Sequence, residues 1–334
     1  MKKIFWKKLS LLGLSAVMLA LTFGCGSAAP GDAGSSETRA ESKDSADTES
    51  GKEPKAETES GSPAESGGEK LSYNSDSGYQ DEDAEIQVFI AASLNTAVTD
   101  LVKQYNEIHP KVKISLNADS SGKLLTQIEE GYSCDVFFSA AQKQMNTLEK
   151  DDKLLVEGTR KNVVNNQLCV ITQKDSETKV TGLENLKDAK SIALADGSVP
   201  AGKYTRQALM ALKILAETED VSKITTEQVS EALGGVEISE QSNVSKVLAA
   251  VVEGSCEVGT TYYSDTYGYE DKLRILEKVP YELTGKVIYP IAQVQNKEAT
   301  DADKKAAKDF IDFVTSEAAK SVFESYYFDT NTGE

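Results

Sequence analysis

Hydroxyl side chains occur at two places where a buried strand is expected to pass into a helix. Ser93 follows the apolar run of residues 86–92, and Ser120 and Ser121 follow a second strand pattern at residues 112–117. Ligands of open α/β sheets bind at the carboxyl ends of strands, and helix N-termini offer unpaired N–H groups to anions. A serine at one such junction is more simply a helix cap. When serines occur at two successive junctions, an anion site and simple helix capping explain them about equally well.

Three later segments have the same strand-to-helix arrangement. Ala201 lies in a Pro-Ala-Gly turn after the strand pattern of residues 191–195, and Val244 begins a helix directly after Ser242 and Asn243. Residues 259–265 end a strand with two tyrosines, Tyr262 and Tyr263. One of these hydroxyls could point into a cleft, although most tyrosines at strand ends pack with the hydroxyl in water.

Strand and helix patterns alternate along residues 86–334. Apolar runs predict strands at 86–92, 112–117, 135–139, 167–172, 191–195, 257–263 and 287–294. Helical spacing predicts helices after the first three strands and at 201–214, 226–233, 244–253 and 301–325, the last with a break at Ser316. This alternation is typical of an α/β fold with mainly parallel sheets. About 250 residues is long for one such sheet, so two lobes are expected.

Composition excludes several classes of function. The chain has 334 residues with 36 Lys and Arg against 54 Asp and Glu, a net charge of −18 that argues against a nucleic-acid partner. His109 is the only histidine, which removes most acid–base and zinc chemistry. Besides Cys25 there are three cysteines, at 134, 169 and 256, which are expected to be buried thiols because they lie in or beside apolar strands. No nucleophile–base pair is apparent, so we do not expect an enzyme.

The N-terminal segment predicts export. Four lysines precede a sixteen-residue apolar or small-residue run at 9–24, which fits a signal peptide and is short for a membrane span. The run ends at Cys25 and resembles a lipobox, although Thr22 stands where leucine is usual. The alternative is an ordinary secretory signal. Residues 26–85 contain 5 basic and 16 acidic residues and one branched aliphatic, Leu71, so they are expected to form a disordered acidic linker.

Six segments together resemble the substrate-binding proteins of molybdate ABC transporters, over about residues 86–328. The segments are VFIAASL (88–94), ADSSGKLLTQIEEG (118–131), DVFFSA (135–140), VPAGKY (199–204), VGTTYYSD (258–265) and YPIAQV (289–294). The resemblance implies a type II periplasmic-binding-protein fold with two lobes and a hinge of two crossing strands. Lobe 1 would comprise 86–166 and 288–334, and lobe 2 would comprise 167–287. Residues 1–24 would be the signal peptide and 25–85 the lipid-anchor cysteine with its linker.

By position, the resemblance implies a binding site for a tetrahedral oxyanion made of five residues. These are Ser93, Ser121, Ala201, Val244 and Tyr262, with Tyr263 as the neighbouring alternative to the last. Molybdenum would be present only as molybdate on these residues, and no cofactor is implied. The resemblance also implies delivery of molybdate or tungstate to an ABC permease from the outer face of the membrane, by a lipid-anchored protein that we expect to be a monomer.

Physical reasoning from the residues favours an anion without protons. A fully ionised dianion accepts hydrogen bonds at every oxygen, whereas phosphate near neutral pH carries a proton and needs an acceptor. None of the five candidate positions is acidic, although Asp119 lies close in sequence. Sulfate or another oxyanion is the alternative ligand. An enzyme on the same fold, or a surface sensor or adhesin acting through the linker, is the alternative class.

Overall fold

The computed structural model describes residues 73–333. The predicted signal peptide, Cys25 and the linker up to residue 72 lie outside the described residues. Within the described range, none of the helices combines the length and the hydropathy that a bilayer crossing requires.

The first sheet has five strands in the order β2-β1-β3-β10-β4. Its strands are β1 (Ala84–Ala91), β2 (Val112–Asp119), β3 (Val136–Phe138), β4 (Lys161–Asn166) and β10 (Val287–Gln293). β1 is parallel to β2 and β3, and β10 runs antiparallel to β3 and β4. Five helices belong to this part of the chain: α1 (Asn95–Ile108), α2 (Ser121–Glu129), α3 (Gln142–Asn146), α8 (Asp301–Val314) and α9 (Glu317–Ser325). The second half of β1, residues 88–91, is buried on both faces, which explains why this stretch is continuously apolar.

The second sheet also has five strands, in the order β7-β6-β8-β5-β9. Its strands are β5 (Leu168–Gln173), β6 (Ser191–Ala195), β7 (Glu237–Gln241), β8 (Val258–Tyr262) and β9 (Leu273–Lys278). β6 is parallel to β7 and β8, and β5 runs antiparallel to β8 and β9. The helices of this part are α4 (Pro200–Ala211), α5 (Thr226–Ala232), α6 (Val244–Val252) and α7 (Tyr281–Thr284). Short 3₁₀ turns lie at Ala92–Leu94, Leu183–Asp188, Val221–Lys223 and Tyr263–Thr266, and a π turn lies at Thr147–Asp151.

The two-lobed α/β architecture expected from the sequence is confirmed, but the expectation of mainly parallel sheets is wrong. Each sheet has two parallel and two antiparallel pairings, because β10 and β5 run against their neighbours. We call the first sheet with its helices the first lobe, and the second sheet with its helices the second lobe. The chain passes from the first lobe to the second at Gln167, the single residue between β4 and β5. It returns through residues 279–286, between β9 and β10. Two stretches of chain therefore connect the lobes within the described residues.

The N-terminal boundary of the folded part differs from the sequence prediction. The linker was expected to extend to residue 85, yet β1 begins at Ala84 and the preceding residues bind α8. The Tyr73 hydroxyl donates to the Asp309 carboxylate, and the Ser75 and Ser77 hydroxyls donate to Asp312 and Asp309, each over 2.9 Å. These contacts are polar, which is why a search for apolar runs does not find them.

Candidate ligand-binding site

All five residues predicted to bind the oxyanion line one small cavity between the two lobes. The cavity is narrow, with a volume of about 10 Å³. The first lobe contributes Ser93 and Ser121, and the second lobe contributes Ala201, Val244 and Tyr262. Tyr263, the alternative to Tyr262, does not line the cavity; its ring stacks on Tyr327 with centroids 4.7 Å apart.

The starts of four helices meet at this cavity. Ser121 is the first residue of α2, Pro200 and Val244 are the first residues of α4 and α6, and Ser93 lies in the 3₁₀ turn that leads into α1. The first N–H groups of a helix have no partner within the helix, and the helix dipole makes this end partly positive. Four such ends around one cavity make it a place for a negatively charged solute.

The start of α4 lacks a side-chain cap, in contrast to the starts of α2 and α6. Ser120 accepts a hydrogen bond from the Lys123 N–H, and Asn243 accepts one from the Lys246 N–H, whereas Val199 provides no such acceptor. The first intrahelical bond of α4 runs from the Lys203 N–H to the Val199 carbonyl. The N–H of Ala201 is therefore free to donate into the cavity.

Hydrogen bonds hold both serines of the first lobe in place beside the cavity. Ser121 is fully buried, and its hydroxyl oxygen accepts the N–H of Ala140 over 2.9 Å. The Ser93 hydroxyl lies 2.8 Å from the Tyr289 hydroxyl. In the described part of the chain no acceptor takes the Ser121 hydroxyl hydrogen, which leaves it available to a ligand.

The Tyr262 hydroxyl is buried and has no hydrogen-bond partner among the described residues. Its side chain is 1% exposed, and its ring packs edge-on against Tyr289 with centroids 5.8 Å apart. Burial raises the pKa of Tyr262 well above its usual value, so the hydroxyl stays protonated. An unpaired buried hydroxyl is costly unless a ligand satisfies it. Its position on the cavity wall leaves it free to donate to a ligand.

No residue that lines the cavity carries a formal charge. Asp119, the nearest acidic residue in sequence, is fully used: one carboxylate oxygen accepts from Ser120 N–H and Asn243, and the other from Lys123. Although burial acts to raise it, hydrogen bonds from Asn243 and from the Ser120 N–H hold the pKa of Asp119 below its usual range. The cavity thus presents neutral donors.

A buried arginine holds the turn that presents Ala201. Arg206 is fully buried, and its guanidinium donates to the carbonyls of Ala195, Gly202 and Ile224 over 2.8, 3.0 and 2.8 Å. Gly202 allows the helix to start directly on the end of β6, since a methyl group there would overlap the carbonyl oxygens of Ala195 and Asp196. Sequence reasoning missed Arg206, because a basic residue in a helix is ordinarily assigned to the surface.

The geometry around the cavity offers no nucleophile–base pair among residues 73–333. His109 follows the last residue of α1, about 20 Å along that helix from Ser93. It lies beside the hydroxyl of Tyr73 and the carboxylate of Asp309. Cys134, Cys169 and Cys256 are free, buried thiols, as the sequence predicts. Burial raises the pKa of Cys134 and Cys169, which makes both poor nucleophiles.

A two-lobed fold with a donor-lined cavity between its lobes defines a binding protein that encloses a small solute. Residues 86–329 match the family described as bacterial extracellular solute-binding protein, and the chain belongs to that family. The family description assigns solute binding and a location outside the cytoplasm, and both apply to this chain.

Several relatives cover the same region. The putative ABC transporter substrate-binding lipoprotein YvgL of Bacillus subtilis is 28% identical over 258 residues, which are 77% of this chain and 91% of that protein. The molybdate-binding protein ModA of Haemophilus influenzae is 28% identical over 251 residues, which are 73% of this chain and 90% of that protein. The solved substrate-binding domain of a putative molybdenum ABC transporter from Clostridium difficile is 33% identical, with a TM-score of 0.54; the match covers 74% of this chain and 99% of that one.

Proposed function

We propose that this protein is an extracytoplasmic receptor that captures molybdate, and also tungstate, and delivers it to an ABC permease. The observation that carries the proposal is the cavity between the lobes, whose wall holds the unpaired Tyr262 hydroxyl and no charged side chain. The names of two relatives that bind molybdate or belong to a molybdenum transporter support this choice of ligand.

The proposed complex uses five neutral donors. The hydroxyls of Ser93, Ser121 and Tyr262 and the main-chain N–H groups of Ala201 and Val244 would bind the four oxygens of the anion. Because both lobes contribute donors, the anion stabilises the arrangement in which the lobes are in contact. Binding would thus favour a closed receptor, the form that a permease can distinguish from an empty one.

Neutral donors suit a fully ionised tetrahedral dianion. Such an anion has no hydrogen of its own, so every contact it makes can be an accepted hydrogen bond. Affinity then comes from fixed dipoles and helix starts, and we expect it to change little between low and moderate salt, unlike a site built from exposed ion pairs.

Sulfate is the alternative ligand, because it is also a tetrahedral dianion and the same donors could bind it. The two differ in size: molybdate is the larger anion, so the spacing of donors across the cavity decides between them. An enzymatic role receives no support from the site, since solute binding is the activity assigned to the family.

Isothermal titration of the purified full chain with molybdate, tungstate, sulfate and phosphate tests the proposal. We expect one-to-one binding of molybdate and tungstate that is at least a hundredfold tighter than that of sulfate. Ser121→Ala should lower the affinity for molybdate about tenfold or more, because one buried donor is lost. Ser325→Ala, on α9 with its hydroxyl bonded to the Val322 carbonyl, serves as the matched control. Tighter binding of sulfate than of molybdate would revise the proposed ligand. The absence of binding with all four anions would contradict the proposal.

We also propose that Cys25 carries a lipid that anchors the receptor to the membrane. The lipobox-like sequence before Cys25 and the lipoprotein name of YvgL support this assignment. Cys25→Ser should release the protein from the membrane fraction in cells, whereas Cys256→Ser should not. One chain supplies both lobes of the cavity, so the receptor should act as a monomer, which light scattering of the purified chain can check.

A further inference from the structure

Asn166 lies at the end of β4, next to the point where the chain crosses between the lobes. It is 1% exposed. Its side-chain oxygen accepts the N–H of Gln167 over 2.9 Å, and this contact fixes which end of the amide carries the hydrogens. The amide nitrogen donates one hydrogen bond to Ser264 over 2.8 Å and another to the Tyr289 hydroxyl over 3.1 Å.

Tyr289 connects this amide to the cavity. It lies on β10, is fully buried, and has two hydrogen-bond partners, Asn166 and Ser93. Because Asn166 is a donor, the Tyr289 oxygen is the acceptor in that bond. The Tyr262 ring packs against Tyr289, but its hydroxyl makes no hydrogen bond, so among the described residues Ser93 is the remaining partner for the hydrogen of Tyr289. A buried hydroxyl hydrogen without an acceptor is costly.

The direction of these bonds determines the state of Ser93. When Tyr289 donates to Ser93 over their 2.8 Å contact, the Ser93 oxygen is the acceptor. The single hydrogen of Ser93 must then point to another group, and the cavity that Ser93 lines is where a new acceptor would sit. A rotating hydroxyl is thereby fixed as a donor before any ligand arrives.

We propose that Asn166 and Tyr289 form a hydrogen-bond relay that holds Ser93 as a donor, and that this relay makes the site reject oxyanions that carry a proton. The inference rests on the proposed oxyanion-binding function and assigns positioning roles to two residues outside the predicted contact set. A proton on the bound anion would then meet a cavity wall without a carboxylate and a Ser93 hydroxyl whose own hydrogen already points at the anion.

Sulfate and hydrogen phosphate provide a direct probe of this effect. At pH 8 phosphate is mostly HPO₄²⁻, which has the same charge as sulfate and molybdate and a similar size to sulfate. The two anions therefore differ mainly in one hydrogen. A change in overall charge near the site affects both equally and cancels when the ratio of their dissociation constants is taken.

Tyr289→Phe is the first test variant. It removes the relay hydroxyl, so Ser93 can rotate and accept a hydrogen from HPO₄²⁻. We expect titration of the full chain at pH 8, directly or in competition with molybdate, to show that the affinities for molybdate and sulfate fall about tenfold. The ratio of the phosphate to the sulfate dissociation constant should fall at least fivefold. An equal weakening of all anions, with this ratio unchanged, would overturn the relay and leave Tyr289 a packing residue.

Asn166→Asp provides a second variant that keeps the size of the side chain. A carboxylate accepts the Tyr289 hydrogen, which reverses the relay: Ser93 would donate to Tyr289 and turn a lone pair toward the cavity. We expect the same fall in the phosphate-to-sulfate ratio, and an unchanged ratio would again overturn the relay. Tyr105→Phe is the control, because it deletes a buried tyrosine hydroxyl that binds Asp309 instead of the cavity; it should leave the ratio unchanged.

The outcomes separate this inference from the proposed function. Should the unmodified chain bind none of molybdate, tungstate, sulfate or phosphate, the proposed function fails and the relay fails with it. Should the unmodified chain bind oxyanions while either variant keeps its phosphate-to-sulfate ratio, the relay alone is wrong.

Discussion

Asn243 donates a hydrogen bond across the cavity to Asp119, with 3.1 Å between the amide nitrogen and the carboxylate oxygen. Asn243 is the N-cap of α6 in the second lobe, and Asp119 is the last residue of β2 in the first lobe. This bond joins a residue next to Val244 with a residue two positions before Ser121. It therefore stabilises the arrangement of the lobes in which both sets of donors face one cavity.

Placing a second carboxylate opposite Asp119 should open the receptor. Asn243→Asp keeps the acceptor that caps α6 but places a carboxylate against Asp119, so the closed arrangement is penalised by repulsion. We expect oxyanion affinity to fall at least tenfold, equivalent to about 1.4 kcal/mol. Titration gives the affinity, and small-angle scattering with saturating molybdate gives the fraction of closed molecules.

The control for this prediction is Asn243→Ser, which also caps a helix but is too short to reach Asp119. It should weaken binding only a few-fold. Equal affinity of Asn243→Asp and the unmodified chain would show that the Asp119–Asn243 bond does not contribute to closure.

Removing the unpaired Tyr262 hydroxyl should affect stability and binding in opposite directions. Tyr262→Phe deletes a buried polar group that has no partner in the described chain, so the ligand-free protein should be as stable as before or up to about 1 kcal/mol more stable. Molybdate affinity should fall about 10- to 100-fold, because one donor is lost. Thermal unfolding without ligand and titration with ligand measure the two effects.

Tyr263→Phe distinguishes the two adjacent tyrosines. Its ring stacks on Tyr327 and lies under the amine of Lys278, away from the cavity lining. It should bind molybdate like the unmodified chain. A loss of affinity in Tyr263→Phe but not in Tyr262→Phe would reverse the assignment.

The sequence predicts the parts of this protein that depend on local pattern. Apolar runs locate the buried strands, and β6 is predicted with its observed bounds at 191–195. The predicted helix at 301–325 breaks at Ser316, as expected, because Ser316 caps α9 through the Ala319 N–H. The motif resemblance adds five candidate positions at strand-to-helix junctions, and the fold brings all five to one cavity.

Other features depend on tertiary contacts and leave little local signal. β7 reads EISEQ, an edge strand of mostly polar residues that pairs with β6 alone, so no apolar run predicts it. Asn166 and Tyr289 lie 123 positions apart and meet only when β4 and β10 pair. The one available signal is a pair of asparagines directly after Val163 and Val164, since buried amides in a strand need partners.

A side chain at Gly122 should obstruct closure while stabilising its helix. A Cβ atom there would lie 3.0 Å from the main-chain oxygen of Ser198 in the opposite lobe. Gly122→Ala should raise the free energy of unfolding of the ligand-free protein by about 0.5 kcal/mol through helix propensity. It should also lower the affinity for molybdate several-fold, because the lobes cannot close fully. Thr126→Ala on the same helix is the control for propensity, and equal affinities of the two variants would contradict the closure effect.

Asp265 should make stability depend on pH. Burial raises its pKa from 3.8 to about 6, despite hydrogen bonds from the Thr261 hydroxyl and the Tyr262 N–H. The folded state thus holds this proton more tightly than the unfolded state, so the contribution to stability is full below pH 4 and is lost as pH rises through about 6. The loss should reach up to about 3 kcal/mol. Asp265→Asn should remove this decline in urea unfolding curves; a decline that persists in the variant would assign it to another group.

Arg206 should prove essential to the turn that presents Ala201. Its guanidinium satisfies three carbonyls and the hydroxyl of Thr226, which lies 3.1 Å away. Arg206→Met fills a similar volume but leaves those buried acceptors unpaired, so the free energy of unfolding should fall by about 2–4 kcal/mol. Affinity for molybdate should fall as well, because the start of α4 loses its support. Urea unfolding and titration measure these effects, with Arg274→Met, whose guanidinium binds an exposed carbonyl, as the control. Unchanged affinity in a folded Arg206→Met protein would show that the turn holds Ala201 in place without the arginine.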